Sequence, residues 1–213
     1  MADAPDRQAL LTALTTEHFT LQGARAQTAG ESASRASLYI FSVSSTLVAL
    51  GFIGPSGRTF EVFALTVLPT LYVLGVFTFV RLVECSAEDY RYGVAINRIR
   101  NYYKRIAGDE AALFLLSGHD DGRGVFANAA LPPEGRRHYF SFATVVAVIN
   151  SVVGGSAIAI ALGVIAGASL GVAAAVGGCV AVASLASLLR HAGRLLDERA
   201  GGTEALFPSP PAG

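Results

Sequence analysis

At 213 residues and 22.1 kDa, the chain has room for one domain or two small ones. Apolar residues make up 52% of it and charged residues only 15%, with a mean hydropathy of +0.49; a soluble domain carries about 25% charged residues. No Asp, Glu, Lys or Arg occurs from Tyr139 to Leu189, a run of 51 residues, which excludes an ordinary water-soluble enzyme.

Residues 6–35 contain no proline and are rich in Ala, Leu, Gln and Glu, which predicts a cytoplasmic N-terminal helix within 1–35. Gly23 and Gly30 are its weak points. Asp3, Asp6, Arg7 and Glu17 precede any apolar run, a pattern unlike a cleaved signal peptide. Crossing a roughly 30 Å hydrocarbon core takes about 20 apolar residues in a helix. Residues 36–57 and 62–80 are uncharged and long enough, giving two transmembrane helices over 36–83. From Glu84 a helix continues to Ala107 and is ended by Gly108. A short helix over 109–116 and a Gly- and Pro-rich loop over 117–137 complete a cytoplasmic segment, 84–138. The 51-residue run is too long for one crossing and divides at Ala166-Gly167-Ala168-Ser169. It therefore reads as a hairpin of spans three and four, 139–165 and 170–189, within 139–190. Residues 191–213, ending in a Pro-Ser-Pro-Pro stretch, read as a cytoplasmic and mostly disordered tail. The expected fold is all-α, a polytopic membrane protein with four transmembrane helices and cytoplasmic helical extensions.

Acidic and basic residues number 16 each, so net charge names no partner. Their placement fixes orientation. Fifteen basic residues lie in the N-terminal, central and C-terminal segments and only Arg58 lies on the other side, so the positive-inside rule puts both termini in the cytoplasm. The outer face then offers two short turns, too little for a receptor pocket. Any ligand or partner is met in the bilayer or on the cytoplasmic face.

Small residues recur every fourth position in the hairpin: Ala147, Ser151, Gly155, Ala159 and Gly163, then Gly171, Ala175, Cys179, Ala183 and Ser187. Such rows let helix backbones approach closely in lipid, so they read as packing faces toward each other or toward another subunit. Asn150, expected near mid-membrane, reads as a cross-helix hydrogen bonder, with a pore lining as the alternative. Pro69 reads as a kink in the second span. No span holds an ionisable residue at depth, which disfavours ion-coupled transport.

Cys85 and Cys179 have no CxxC or Cys/His neighbour, so neither a disulfide framework nor a zinc site is indicated. His119, Asp120 and Asp121 are a conceivable metal set, but on a Gly-rich loop they read as a solvated turn. His138 reads as interfacial, and His18 and His191 as isolated. With no P-loop, nucleophile elbow or HExxH, the sequence implies no enzyme and no cofactor. Arg98, Arg100, Lys104 and Arg105, interleaved with Tyr102 and Tyr103, read as a topology determinant that contacts anionic lipid headgroups, not nucleic acid. Leu82, Cys85, Asp89, Tyr92, Ile96, Ile99, Tyr103 and Ile106 follow spacings of three and four, an a/d seam. That seam would pair either between subunits or with the chain's own N-terminal helix.

Three stretches carry a resemblance: Ser42-Val-Ser-Ser-Thr-Leu-Val-Ala-Leu-Gly-Phe52, Leu74-Gly-Val-Phe-Thr-Phe-Val-Arg-Leu-Val-Glu84 and Ala95-Ile-Asn-Arg-Ile-Arg-Asn-Tyr-Tyr103. Over residues 10–110 the chain resembles uncharacterised bacterial four-span membrane proteins. The resemblance implies a bacterial inner-membrane module and no activity. The functional expectation is a non-enzymatic, homo-oligomeric interaction or scaffold module. An oligomeric channel or pore-forming effector gated from the cytoplasm is the alternative, and a lipid-acting enzyme ranks below both.

Overall fold

A computed structural model of the chain describes residues 4–54, 57–129, 141–200 and 204–210. Every regular element among them is helical: α1 (Ala4–Ile53), α2 (Arg58–Ala107), a 3-10 turn (Gly108–Leu113), α3 (Gly122–Asn128), α4 (Phe142–Ala166) and α5 (Leu170–Ala200). The fold is all-α. Four helices, α1, α2, α4 and α5, are long and apolar enough to cross a membrane, which makes this a multi-pass membrane protein.

Helices α1 and α2 have 50 residues each, about 75 Å at 1.5 Å per residue and more than twice the hydrocarbon thickness. Neither Gly23 nor Gly30 interrupts α1, and α2 runs through Pro69 as one element. The first helix ends before Gly54 and the second begins after Gly57, whose positive φ angles of 82° and 105° suit glycine alone. Two local expectations are corrected. The segment after Gly108 is a 3-10 turn instead of an α-helix, and the loop after Ser117 contains α3. Asp121 caps α3 by accepting the Gly124 N–H at 2.8 Å. Residues 130–140, including His138, lie outside the described residues.

The chain divides into two compact units. Unit one is Met1–Glu31, Cys85–His138 and Glu198–Gly213; unit two is Ser32–Glu84 and Tyr139–Asp197. Unit two is a four-helix bundle cored by Tyr39, Phe79, Leu82, Val83 and Val146. Its helices approach at glycines. A Cβ on Gly75 of α2 would overlap the Asn150 amide of α4 and lie 2.7 Å from the Tyr39 hydroxyl of α1. Gly154 leaves room for the Tyr72 ring, 2.6 Å from where its Cβ would stand. Between α4 and α5, a Cβ on Gly155 would come within 2.8 Å of Ala181, and one on Gly177 within 2.8 Å of Ala159. Ser141 caps the start of α4, and Gly167, at φ 63°, ends it in the left-handed conformation.

The small row on α4 is half right, and that on α5 is displaced by two residues. Ser151, Gly155 and Ala159 face the bundle, but nothing lies within 4 Å of a Cβ on Gly163 or Gly171. On α5 the packing face is Ala173, Gly177 and Ala181, followed by Ser184 and Leu188; Ala175, Cys179, Ala183 and Ser187 point outward. An Ala/Gly-rich helix offers several rows of spacing four, and only contact with α4 selects between them.

Gly155→Ala and Gly177→Ala should each lose about 1–3 kcal/mol of bundle stability, since backbone and Ala methyls stand where the new Cβ must go. Gly163→Ala, which meets nothing, should be neutral or slightly stabilising through helix propensity. Thermal unfolding in detergent measures all three; an equal loss in each would remove the packing role.

Candidate functional site

In unit one, α2 supplies a platform from Cys85 to Ala107. Asn97, almost fully buried, anchors the loop that follows the 3-10 turn. Its Nδ2 donates to the His119 carbonyl at 2.7 Å, while its Oδ1 accepts from Arg100 and from Asn128. Asn128 in turn holds both the N–H and the carbonyl of Ser117. One helical glycine and two in the loop are close-approach positions. A Cβ on Gly93 would collide with Val125 at 2.8 Å, one on Gly124 with the His119 backbone, and one on Gly118 would crowd the Asn101 backbone at 3.1 Å. Tyr90 stacks on Phe126 at 5.7 Å, closing α3 onto α2.

This scaffold presents Asp120 and Asp121 to residues 204–210. The sequence reads that segment as disordered; it is instead held along its backbone. Asp120 Oδ1 accepts the Phe207 N–H at 2.7 Å and Oδ2 accepts the Leu206 N–H at 3.0 Å. The Asp120 N–H returns a bond to the Phe207 carbonyl at 3.2 Å, to which the His119 Nδ1–H also points. Asp121 takes the Ser209 N–H at 2.8 Å and its hydroxyl at 2.7 Å. Two arginines close the ends. Arg98 pairs with Asp120 at 2.6 Å and donates to the Glu204 carbonyl at 2.5 Å, and Arg123 donates to the Pro210 carbonyl at 2.6 Å. The result is a clamp for a peptide bent at Leu206 and Phe207.

The expected solvated turn is therefore corrected: Asp120 is 1% exposed. Desolvation raises its carboxyl pKa, but the hydrogen bonds from Arg98 and from the Leu206 and Phe207 N–H groups, with the Arg98 charge, outweigh that. The net position is below the ordinary 3.8. Asp121 follows the same balance: burial raises it, and the Gly124 N–H, the Ser209 hydroxyl and N–H, and His119 bring it below 3.8. Among the described residues no cluster of His, Cys, Asp and Glu could hold a metal ion.

The seam on α2 is filled from within the chain. Ile96 and Ile99 are buried, Tyr92 and Tyr103 half-buried, and Ile106 exposed. Tyr103 meets the Thr15 hydroxyl at 3.2 Å and the edge of His18. Asp89, the polar interruption, is the partner of Arg25, with bonds of 2.6 and 3.0 Å. That hydrogen bond raises the Arg25 pKa, whereas burial followed by the Arg25 charge lowers that of Arg100. Burial and Arg100 lower His18. The basic patch is likewise corrected in part, because Arg98 and Arg100 turn onto their own chain. In unit two, Asn150 is fully buried and accepts the Tyr39 hydroxyl at 2.9 Å, while Ser184 bonds the Tyr72 hydroxyl at 2.9 Å.

No protein-family model, curated protein or solved structure matches the chain.

Sequence reasoning missed 204–210, Arg98 and Arg123 as parts of one site. The available signals were an Asp at the N-cap of Gly-Arg-Gly-Val-Phe and an apolar Leu-Phe pair followed by a Pro-Ser-Pro stretch.

Both carboxyls are depressed on folding, so their contribution is complete above 3.8 and is lost as pH falls through the still lower folded values. A spin label at Ala205→Cys, in a Cys179→Ser background, should be immobile at about pH 5 and become mobile only as pH falls below 3.8 through the depressed folded-state values. Asp120→Asn should free it at neutral pH, because the amide offers N–H where an acceptor is needed. Immobility throughout would show that these carboxylates do not hold the segment.

Proposed function

We propose that this protein is a non-enzymatic scaffold of the bacterial inner membrane, with both termini cytoplasmic, that acts as a homo-oligomeric interaction module. The observation carrying this reading is the outward face of α5. Gly171, Ala175, Cys179, Ala183 and Ser187 leave their own bundle unpartnered, on a helix whose opposite face already packs against α4. In lipid, apolar bulk does not drive helices together, so a row of small residues on an exposed face is where a second backbone gains most by approaching. The bacterial setting rests on the resemblance described above, and the orientation on fifteen basic residues against one. Arg190 and Arg194 are exposed just beyond the fourth span and suit anionic lipid headgroups at the cytoplasmic surface. The rival channel reading loses its best lining residue, since Asn150 is enclosed within a single bundle.

The native cysteines supply the test. Cys179 is exposed on the row and Cys85 is buried. Mild oxidation of native membranes should give a disulfide-linked dimer that Cys179→Ser abolishes and Cys85→Ser preserves. If neither Cys179 nor a cysteine placed at Ala175 or Ala183 crosslinks, the row faces lipid and the oligomer fails. Reporters inserted after residues 57, 135, 167 and 213 should read outside, inside, outside, inside; an external signal at 135 would overturn the orientation.

A further inference from the structure

The Asp120–Asp121 clamp treats residues 204–210 as a receptor treats a ligand. Three N–H groups of the segment, those of Leu206, Phe207 and Ser209, each end on a carboxylate oxygen. Three carbonyls, those of Glu204, Phe207 and Pro210, each receive a donor from Arg98, the Asp120 backbone or Arg123. Pro208 and Pro210 carry no N–H, and within 206–210 they are the positions from which the clamp accepts none. Proline also holds its own φ near the extended value, so the segment loses less conformational freedom on docking than an ordinary peptide.

Main-chain bonds carry the attachment, while side-chain selectivity comes from the Ser209 hydroxyl on Asp121. Leu206 is 62% exposed and Phe207 half-buried, so neither is a fully buried apolar anchor. The groups that form the site are also held by contacts that do not involve the segment. Arg98 already pairs with Asp120, Gly124 already donates to Asp121, and the Asn97–Asn128 network fixes the loop beneath them.

We propose that Arg98, Asp120, Asp121 and Arg123 form a receptor for a Leu-Phe-Pro-Ser-Pro segment bent at its Leu-Phe pair, which the chain's own residues 204–210 fill and for which the same segment of a second copy competes. The second copy is the occupant because each copy carries one site and one matching ligand. The inference rests on the clamp alone and stands or falls separately from the α5 row.

The probe is a fluorescent synthetic peptide of residues 204–210, titrated in detergent against the chain lacking those residues. Saturable binding is expected, with at least about tenfold weaker binding to the full chain, whose own segment competes at an effective concentration of order millimolar. Asp121→Asn in the shortened chain should abolish binding while keeping the α3 cap, since Asn caps as well as Asp. A scrambled peptide should not bind. Mixing differently tagged copies, one lacking 204–210 and one carrying Asp120→Asn and Asp121→Asn, should raise co-purification above that of two shortened copies. The shortened pair reports any α5 association by itself, so failure of the scaffold reading and failure of the clamp look different. If shortening unfolds unit one, hydrogen exchange on the intact chain decides. Excess peptide should speed exchange at Leu206, Phe207 and Ser209, and unchanged protection at those amides would overturn the proposal. So would equal binding of the scrambled sequence, or no gain in co-purification.

Discussion

Apolar side chains gain little by turning from lipid toward protein, so a helical bundle in a membrane depends on how closely its backbones can come. In unit two that constraint falls on Gly75, Gly154, Gly155 and Gly177. Each stands where a methyl group would meet a carbonyl, an amide or an aromatic ring. The polar contacts lie beside them: the Tyr39 hydroxyl reaches Asn150 across the space left by Gly75, and Tyr72 passes Gly154 to reach Ser184. A hydrogen bond of this kind adds only about 1 kcal/mol in a membrane bundle. Its value here is directional. A Tyr on α1 and an Asn on α4 can meet through α2 in one register only.

Unit one solves the opposite problem. Its helices carry charge throughout, and the apolar residues at its centre, Ile96, Ile99, Val94 and Val125, are few. Order comes from polar groups that are buried and paired. Asn97 joins the helix, the loop and α3 with a single amide, and Arg25 with Asp89 fixes α1 against α2 through a two-bond fork. Breaking such a network leaves donors or acceptors stranded, each at a cost of about 1–3 kcal/mol. Specificity in this unit therefore rests on paired polar groups more than on apolar area.

The four long helices were legible in the sequence because hydropathy and length act over some 20 residues at once. The turn at Gly167 was legible too, since a glycine between two apolar runs is where a left-handed residue is needed. What escaped depends on neighbours distant in sequence. Spacing alone could not choose between the 171–175–179 row and the 173–177–181 row, because both are small and only α4 distinguishes them. Gly118 and Gly124 read as part of a loop; the demand for them is steric, from Asn101 and His119. Asp89 looked like a flaw in a heptad until Arg25, 64 residues away, was placed opposite it. The segment 204–210 looked featureless because nearly all its bonds use main-chain atoms, which composition does not reveal.

The chemistry of the two aspartates follows from how their lone pairs are spent. A carboxylate offers about four acceptor sites. Asp120 gives one to Arg98 and two to Leu206 and Phe207; Asp121 gives one to Gly124 and two to Ser209. With the segment docked, three of the about four sites on each carboxylate are taken and one is left. Removing the segment would return two sites on each carboxylate, still flanked by Arg98 and Arg123. Whatever replaces it must bring N–H or O–H donors along one edge, and carbonyls that reach those two guanidinium groups. A peptide backbone does both at once, whereas a bare cation would meet the two arginines with no acceptor to offer them. The two carboxylates are therefore tuned to peptide, and the arginines at either end make that choice as firmly as the acids do.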